Sequence, residues 1–182
     1  MEIIKTPIQD LVVIKNRVFE DARGYFFESY NEKTFAKNGI NTKFVQNNRS
    51  KSSYGVIRGL HYQLNPHSQA KLVSVVLGKV FDVAVDLRRD SSTFGEWYGV
   101  EISDENHLQF LIPQGFAHGF SVLSETAIFS YKCDNFYAPQ SEGGILYNDP
   151  ALDIDWRIPV EKAIVSEKDL KLPLLKDAEM NF

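Results

Sequence analysis

A period of two in residues 80–87, with large apolar side chains at every second position, most limits how this chain can fold, because this period is typical of a β-strand. One face of the predicted strand consists of Phe81, Val83, Val85 and Leu87. The opposite face consists of Asp82, Ala84 and Asp86. Residues 71–77 form a second apolar strand candidate, and only Gly78 and Lys79 separate the two. This spacing predicts a β-hairpin.

Several other short segments have strand character and are separated by turn residues. Aromatic residues, which favour strands, make up 13% of the chain. The further strand candidates are residues 25–30, 108–112, 119–123 and 127–136. Helical pattern is confined to residues 31–38, with Asn31 as N-cap and Gly39 beyond the end, and to a short turn from Ser166. We therefore predict an all-β sandwich or barrel with a few short helices, in one domain over residues 1–182.

Composition and charge exclude several classes of protein. The chain has 182 residues, a net charge of −4 and a single cysteine, Cys133. A disulfide framework and a site built from several thiolates are therefore excluded, and broad nucleic-acid binding is not expected. No run approaches the roughly 18 apolar residues of a membrane span. Because the N-terminus also lacks the apolar stretch of a secretory signal, we expect a cytoplasmic protein that binds neither nucleic acid nor membrane.

Two histidines lie in apolar segments that contain several glycines: His61 within residues 55–63, and His118 within residues 112–120. Taken alone, each is explained as a hydrogen-bonded structural histidine. Together, the two segments resemble the two motifs of the cupin superfamily. A metal-binding cupin has a second histidine two residues after the first, whereas this chain has Gln63 there. Two neutral ligands do not make a firm divalent-metal site, so no metal is predicted.

A longer series of segments carries a more specific resemblance. In chain order, these segments are residues 21–28, 44–50, 55–63, 69–73, 112–120, 131–132, 135–139, 141–145 and 166–169. Together they resemble the dTDP-4-dehydrorhamnose 3,5-epimerase family over nearly the whole chain. The resemblance implies a cupin-type jelly roll, a homodimer, no metal or other cofactor, and a dTDP-sugar substrate. It also implies a place in dTDP-rhamnose and polysaccharide biosynthesis.

The implied reaction requires particular catalytic groups in the site. C3 and C5 of dTDP-4-dehydro-6-deoxy-D-glucose both flank the C4 carbonyl, so loss of a proton from either carbon leaves an enolate. Epimerisation to dTDP-4-dehydro-L-rhamnose needs a base, a group that holds the enolate oxygen, and an acid on the opposite face. By resemblance, these groups are His61 as base with Asp169 as its partner, Lys71 at the oxyanion, and Tyr131 as acid. From local pattern alone, Asp169 would be a first-turn helix carboxylate, Lys71 a solvated strand-end residue and Tyr131 a core tyrosine.

The substrate-binding residues also depend on the resemblance. It places Arg23, Arg58 and Lys168 at the diphosphate, where a guanidinium can donate two parallel hydrogen bonds. The other binding positions are Glu28, Gln46, Asn47, Asn48, His118, Tyr137 and Glu142. Arg23 and Glu28 are expected to act in the partner's site of the dimer. Cys133 departs from the family, in which many members have a small hydroxyl residue, and by alternation it borders the pocket.

Three other functions fit parts of the sequence. A related enzyme that inverts only C3, or that isomerises the ketone between C3 and C4, would use much of the same machinery. Tyr131 favours the double epimerase, because inversion at C5 requires an acid on the far face. A non-enzymatic carbohydrate-binding jelly roll has no need for a His–Tyr–Lys set. A metal-dependent cupin oxygenase is disfavoured by Gln63.

Overall fold

Antiparallel β-strands form the framework of residues 1–182, all of which the computed structural model describes. The strands are β1 (Glu2–Lys5), β2 (Val12–Lys15), β3 (Phe19–Asp21), β4 (Gly24–Phe26), β5 (Gln46–Ser53), β6 (Ile57–Gln63), β7 (Lys71–Leu77), β8 (Lys79–Asp86), β9 (Trp97–Ser103), β10 (Leu108–Ile112), β11 (Phe116–Val122), β12 (Thr126–Cys133) and β13 (Glu142–Gly144). The α-helix is α1 (Glu32–Lys37). Short 3₁₀ helices lie at Pro139–Ser141, Val160–Lys162, Asp169–Lys171 and Leu175–Asp177. The all-β prediction is therefore confirmed.

Two large sheets face each other as a cupin-type jelly roll. The six-stranded sheet has the order β1-β2-β10-β7-β12-β5, and the five-stranded sheet has the order β13-β6-β11-β8-β9. A two-stranded hairpin, β3–β4, belongs to neither. Neighbouring strands come from distant parts of the chain, so the connections cross repeatedly between the sheets, as they do in jelly rolls.

Aromatic and branched side chains fill the space between the two sheets. Val73, Phe110 and Phe129 reach this core from the six-stranded sheet, and Val80 and Phe120 reach it from the five-stranded sheet. The rings of Phe120 and Phe129 stack with their centroids 4.1 Å apart, one ring from each sheet. This close apolar contact stabilises the sandwich and fixes the spacing between its sheets.

The two faces predicted for residues 80–87 are confirmed, but both are buried. Phe81 and Val83 on the apolar face pack against Leu152 and Trp156 from the C-terminal tail. The irregular tail thus forms a third layer over the outer face of the five-stranded sheet. The opposite face, which carries Asp82, is consequently turned inward between the two sheets.

The hairpin predicted for residues 71–77 and 80–87 is wrong. β7 pairs with β10 and β12 in one sheet, whereas β8 pairs with β9 and β11 in the other. Gly78 lies at the crossing with a φ of +79°, and a Cβ added there would lie 2.1 Å from the carbonyl oxygen of Thr126. Alternation identifies a strand and its faces, but packing of the whole chain selects the strand's partners.

The helix predicted over residues 31–38 is confirmed as α1. The side-chain oxygen of Asn31 accepts hydrogen bonds from the backbone N–H groups of Lys33 and Thr34, which identifies it as the N-cap. Gly39 follows the helix with a φ of +84°. With six residues, α1 is far too short to cross a membrane, and no other helix of the chain is longer.

The other predicted strands are present, with one exception. Residues 108–112 match β10, while residues 119–123 and 127–136 overlap β11 and β12 with shifted ends. The strand predicted over residues 25–30 is wrong beyond Phe26. The Glu28 carboxylate accepts hydrogen bonds from the side chains of Asn31 and Thr34, which ties this segment to the start of α1 instead of to a sheet.

Candidate active site

A pocket of about 230 Å³ opens between the inner faces of the two sheets. Its walls come from β5, β7 and β12 of the six-stranded sheet and from β6, β11 and β13 of the five-stranded sheet. The predicted site residues that line it are Asn48, Arg58, His61, Lys71, His118, Tyr131, Tyr137 and Glu142. Folding therefore gathers most of the predicted site into one cavity.

A bulge in β6 sets the direction of His61. Gly59 has a φ of +125°, and a Cβ added there would lie 2.5 Å from the Cα of Gly119 on β11. The register between β6 and β11 shifts at this point, and His61 then pairs directly with His118. Two residues that are opposite each other in an antiparallel pair point to the same face, so both imidazoles face the pocket.

His61 and Asp169 form a hydrogen-bonded pair. Nε2 of His61 lies 2.8 Å from Oδ1 of Asp169, and the backbone N–H of Gly59 donates to Oδ2 at 3.4 Å. Burial alone would raise the pKa of Asp169, but the hydrogen bond and charge of His61, with the Gly59 N–H and Ser166, bring the pKa below its ordinary value. Asp169 is therefore ionised at neutral pH, and Nε2 of His61 carries the shared proton. The Nδ1 lone pair remains as the basic site of the ring.

Tyr131 faces His61 from the opposite sheet. It lies on the inner face of β12, between Phe129 and Cys133 in the alternation, and it lines the same pocket as His61 on β6. Burial raises the pKa of the Tyr131 phenol, with the neighbouring Cys133 adding to the effect. The hydroxyl is therefore protonated at neutral pH and able to donate.

Lys71 places an amine in the same cavity. It begins β7, opposite Cys133 of β12. Burial lowers the pKa of the Lys71 ammonium, while the nearby Cys133 and Asp82 raise it. The eight ion pairs of the chain do not include Lys71, so its donors are free to bind an oxyanion.

The outer part of the pocket is polar. Lys168 Nζ donates to Glu142 Oε2 at 2.7 Å, which brings Lys168 to the rim. The Gln46 side chain connects Asn48 with Tyr137. Its Nε2 donates to Asn48 Oδ1 at 3.1 Å, and its Oε1 accepts from the backbone N–H of Tyr137 at 3.1 Å. Tyr137 is 55% exposed as a residue, which leaves its ring able to stack on a planar group.

Gln63, where a metal-binding cupin has its second histidine, has a structural role in this chain. Its Nε2 donates to the carbonyl oxygens of His67 and Phe136, and its Oε1 accepts from the backbone N–H of Ala138 at 2.8 Å. These bonds hold the segment that presents Tyr137. No group of three or more His, Cys, Asp or Glu side chains in the chain is arranged to hold a metal ion.

Six predicted residues are not part of the pocket lining. Asp169, Gln46 and Lys168 are hydrogen-bonded to residues that line it, whereas the other three are not. Arg23 is in the exposed β3–β4 turn and pairs with Asp21. Glu28 bonds to the start of α1. Asn47 lies on the outer face of the six-stranded sheet, because it alternates with Asn48 along β5.

Asp82 was not among the predicted site residues. It is fully buried on β8, with its two carboxylate oxygens 3.0 and 3.1 Å from Nε2 of His118. The available signal was a pair of carboxylates on one face of an otherwise apolar strand, a position where charge is rarely tolerated without a partner.

Comparison with known proteins gives one consistent result. A family described as dTDP-4-dehydrorhamnose 3,5-epimerase matches residues 5–177. The dTDP-4-dehydrorhamnose 3,5-epimerase of Shigella flexneri is 51% identical over 180 residues, which cover 98% of each chain. The crystal structure of the Elizabethkingia anophelis enzyme of the same name is 61% identical, with a TM-score of 0.93 and 97% of each chain covered. The crystal structure of a Legionella pneumophila dTDP-6-deoxy-D-glucose-3,5-epimerase in complex with dTDP-4-keto-L-rhamnose is 51% identical, with a TM-score of 0.93 and coverage of 97% of this chain and 93% of that one.

Proposed function

The chain belongs to the dTDP-4-dehydrorhamnose 3,5-epimerase family, and we propose how its own side chains divide the work of that reaction. The reaction converts dTDP-4-dehydro-6-deoxy-D-glucose to dTDP-4-dehydro-L-rhamnose, for dTDP-L-rhamnose biosynthesis. One observation carries the assignment: His61 and Tyr131 face the same cavity from opposite sheets. A sugar ring held between the sheets presents one face to each residue, which is what inversion requires.

His61 is the base. Its Nδ1 takes the proton from C3 or C5, and the electron pair of the broken C–H bond moves through C4 to O4. The imidazolium that forms is stabilised by the Asp169 carboxylate 2.8 Å from Nε2. Asp169 also prevents the ring from rotating, so the lone pair stays aimed at the substrate.

Lys71 stabilises the enolate. Its ammonium has no ion-pair partner in the chain and lines the cavity, so it can bind O4 as negative charge develops there. The interaction is stronger with the oxyanion than with the ketone, and it therefore lowers the barrier more than it tightens substrate binding.

Tyr131 is the acid. It delivers its phenolic proton to the face opposite His61, and the resulting C–H bond has inverted configuration. Before the second inversion or the next turnover, the His61 imidazolium releases its proton to solvent and the phenolate takes up a proton from solvent. Because the pKa of the phenol is raised by burial, the proton is present at neutral pH when the enolate needs it.

The nucleotide is held at the outer part of the pocket. Arg58 and Lys168 supply cations for the diphosphate, and Tyr137 supplies a stacking surface for the base. Gln46, Asn48, Glu142 and His118 provide hydrogen bonds to the nucleoside and sugar.

We also propose that the protein is a homodimer through the outer face of the six-stranded sheet. Val76 is 46% exposed on this face, and Phe26 on the β3–β4 hairpin is 71% exposed. The chain's single buried side-chain oxygen without a hydrogen-bond partner, Oε1 of Gln109, also lies in this region. A second copy would cover the apolar surface and bring Arg23 and Glu28 to the partner's pocket.

A nucleoside diphosphate sugar as substrate further supports a cytoplasmic location, because such sugars are made from nucleoside triphosphates inside the cell.

Incubation with dTDP-4-dehydro-6-deoxy-D-glucose in deuterated water tests the assignment. NMR of the product is expected to show deuterium at both C3 and C5, and His61→Ala is expected to abolish both. Label at C3 alone would identify a C3-specific epimerase, and absence of label would identify a binding module.

A further inference from the structure

Asp82 is a fully buried carboxyl group behind the pocket-lining His118, and the proposed mechanism does not use it. Its side chain has no exposed surface, and its only hydrogen-bond partner in the chain is Nε2 of His118, at 3.0 and 3.1 Å. An ionised carboxylate can accept about four hydrogen bonds, so a single donor leaves most of its capacity unused. A carboxylate buried in this way needs a further positive charge nearby.

Lys71 is the cation that meets this need. It lines the pocket from β7 on the opposite sheet, together with His118, to which Asp82 is bonded, and it forms no ion pair of its own. The charges of Asp82 and Lys71 act on each other: the Lys71 charge lowers the pKa of Asp82, and the Asp82 charge raises the pKa of Lys71, each opposing the larger effect of burial. Without a counter-charge, a lysine in a desolvated pocket loses its proton more readily.

We propose that Asp82 is a positioning residue that keeps Lys71 protonated in the closed pocket and holds His118 with its proton on Nε2. This inference rests on the proposed role of Lys71 at O4. His118 links the two groups, because it lines the pocket with Lys71 and is bonded to Asp82. Burial lowers the pKa of His118, so the imidazole is neutral. Its Nε2–H then donates the hydrogen bond to the Asp82 carboxylate. In this arrangement, a negative charge on Asp82 and a positive charge on Lys71 each offset part of the effect of burial on the other.

Other titratable groups line the pocket with Lys71, act on its charge, or are hydrogen-bonded to residues beside these groups. They are Arg58 and His61 on β6, His118 on β11, Tyr131 and Cys133 on β12, Glu142 on β13, Asp134 after β12, and Asp169 in the tail. Among the carboxylates, Glu142 is paired with Lys168, Asp169 with His61, and Asp134 with backbone and amide donors. Asp82 is thus the carboxylate whose charge is available to Lys71.

The direct test is the pKa of Lys71, measured by NMR titration of protein labelled with carbon-13 at lysine Cε. The Lys71 signal is assigned by its loss in Lys71→Met. In Asp82→Asn, which keeps the size of the side chain and an acceptor for His118, the pKa of Lys71 is expected to fall by about one unit or more. The alkaline limb of the kcat profile should move to lower pH by a similar amount.

Asp86→Asn is the matched control. Asp86 is also fully buried and lies on the same face of β8, but its carboxylate binds Arg88, Ser91 and Thr93. This variant should leave the pKa of Lys71 and the alkaline limb unchanged. An unchanged Lys71 pKa in Asp82→Asn, or an equal shift in both variants, would overturn the proposal.

The role of Asp82 can be tested even if Lys71 does not act at O4. Full activity of Lys71→Met would remove Lys71 from O4, yet the NMR titration would still decide whether Asp82 sets its charge. If Asp82→Asn does not fold, Asp82→Ser removes the same charge at smaller volume, and the same two results apply to it.

Discussion

Nε2 of His61 is hydrogen-bonded to Oδ1 of Asp169 at 2.8 Å, although 108 residues separate them in sequence. His61 belongs to β6, and Asp169 belongs to the C-terminal tail that covers the outer face of the same sheet. The tail therefore does more than bury apolar surface: it also supplies the group that orients the proposed base.

Asp169→Asn should lower kcat by about 10²–10⁴-fold with little change in KM, because the amide cannot stabilise the imidazolium or hold the Nε2–H tautomer. The tail should remain docked through Trp156, which packs on the outer face of the sheet. Steady-state kinetics with circular dichroism as a check on folding measure this. A variant with near-normal kcat would mean that Asp169 serves only to anchor the tail.

Tyr131→Phe should largely abolish inversion at C5 while exchange at C3 survives better. A solvent proton can complete C3, but C5 carries the methyl group and is more shielded from water. Loss of one general acid costs about 10²–10⁴-fold in rate. NMR of the reaction in deuterated water should reveal a C3-epimer intermediate. Equal slowing at both carbons, or none, would assign the hydroxyl to the pocket lining instead.

Mixing two inactive variants tests whether Arg23 acts across a dimer. Arg23→Ala and His61→Ala should each be nearly inactive, while unfolding and refolding them together should restore activity at about one quarter of the sites, because a mixed dimer contains one intact pocket. Refolding of each variant alone is the control. If mixing restores nothing while native mass spectrometry shows mixed dimers, Arg23 acts within its own chain or not at all.

Prolonged chelation should leave the activity intact. Gln63 is committed to backbone hydrogen bonds where a metal-binding cupin has a histidine, and no cluster of three metal-binding side chains exists elsewhere in the chain. The assay follows product formation after dialysis against a strong chelator. Loss of activity that one specific divalent ion restores would contradict this expectation.

The stability that Asp86 contributes should depend on pH. Burial alone would raise its pKa, but hydrogen bonds from Arg88, Ser91 and Thr93 bring the pKa below the ordinary value of 3.8. A carboxyl whose pKa is lowered by folding contributes fully above its unfolded pKa and loses the contribution as pH falls through the folded value. Asp86→Asn should therefore lower the free energy of unfolding by about 2 kcal/mol at pH 7.

That difference between wild type and Asp86→Asn should shrink below about pH 4, as the wild-type carboxyl takes up its proton. Denaturant titrations at pH 7, pH 5 and pH 3 measure it. A difference that stays constant across this range would mean that the charge of Asp86 does not stabilise the fold.

Local structure follows from the sequence, because it depends on neighbours within a few residues. Alternation placed Phe81 and Asp82 on opposite faces of one strand, and the Asn31 side chain placed the start of α1. The resemblance to a family predicted most of the residues that line the pocket, including His61 and Tyr131, because matched segments occupy matched positions in a shared fold.

Contacts between distant segments, in contrast, depend on how the whole chain packs. β7 and β8 belong to different sheets and separate at Gly78, although the two-residue turn sequence between them predicted a hairpin. Packing covered both faces of β8, which made Asp82 a buried charge instead of a solvated one. The physical reason is that strand pairing, and the burial of a second face by the tail, both require contacts between residues far apart in the chain. A local sequence pattern holds no information about such contacts.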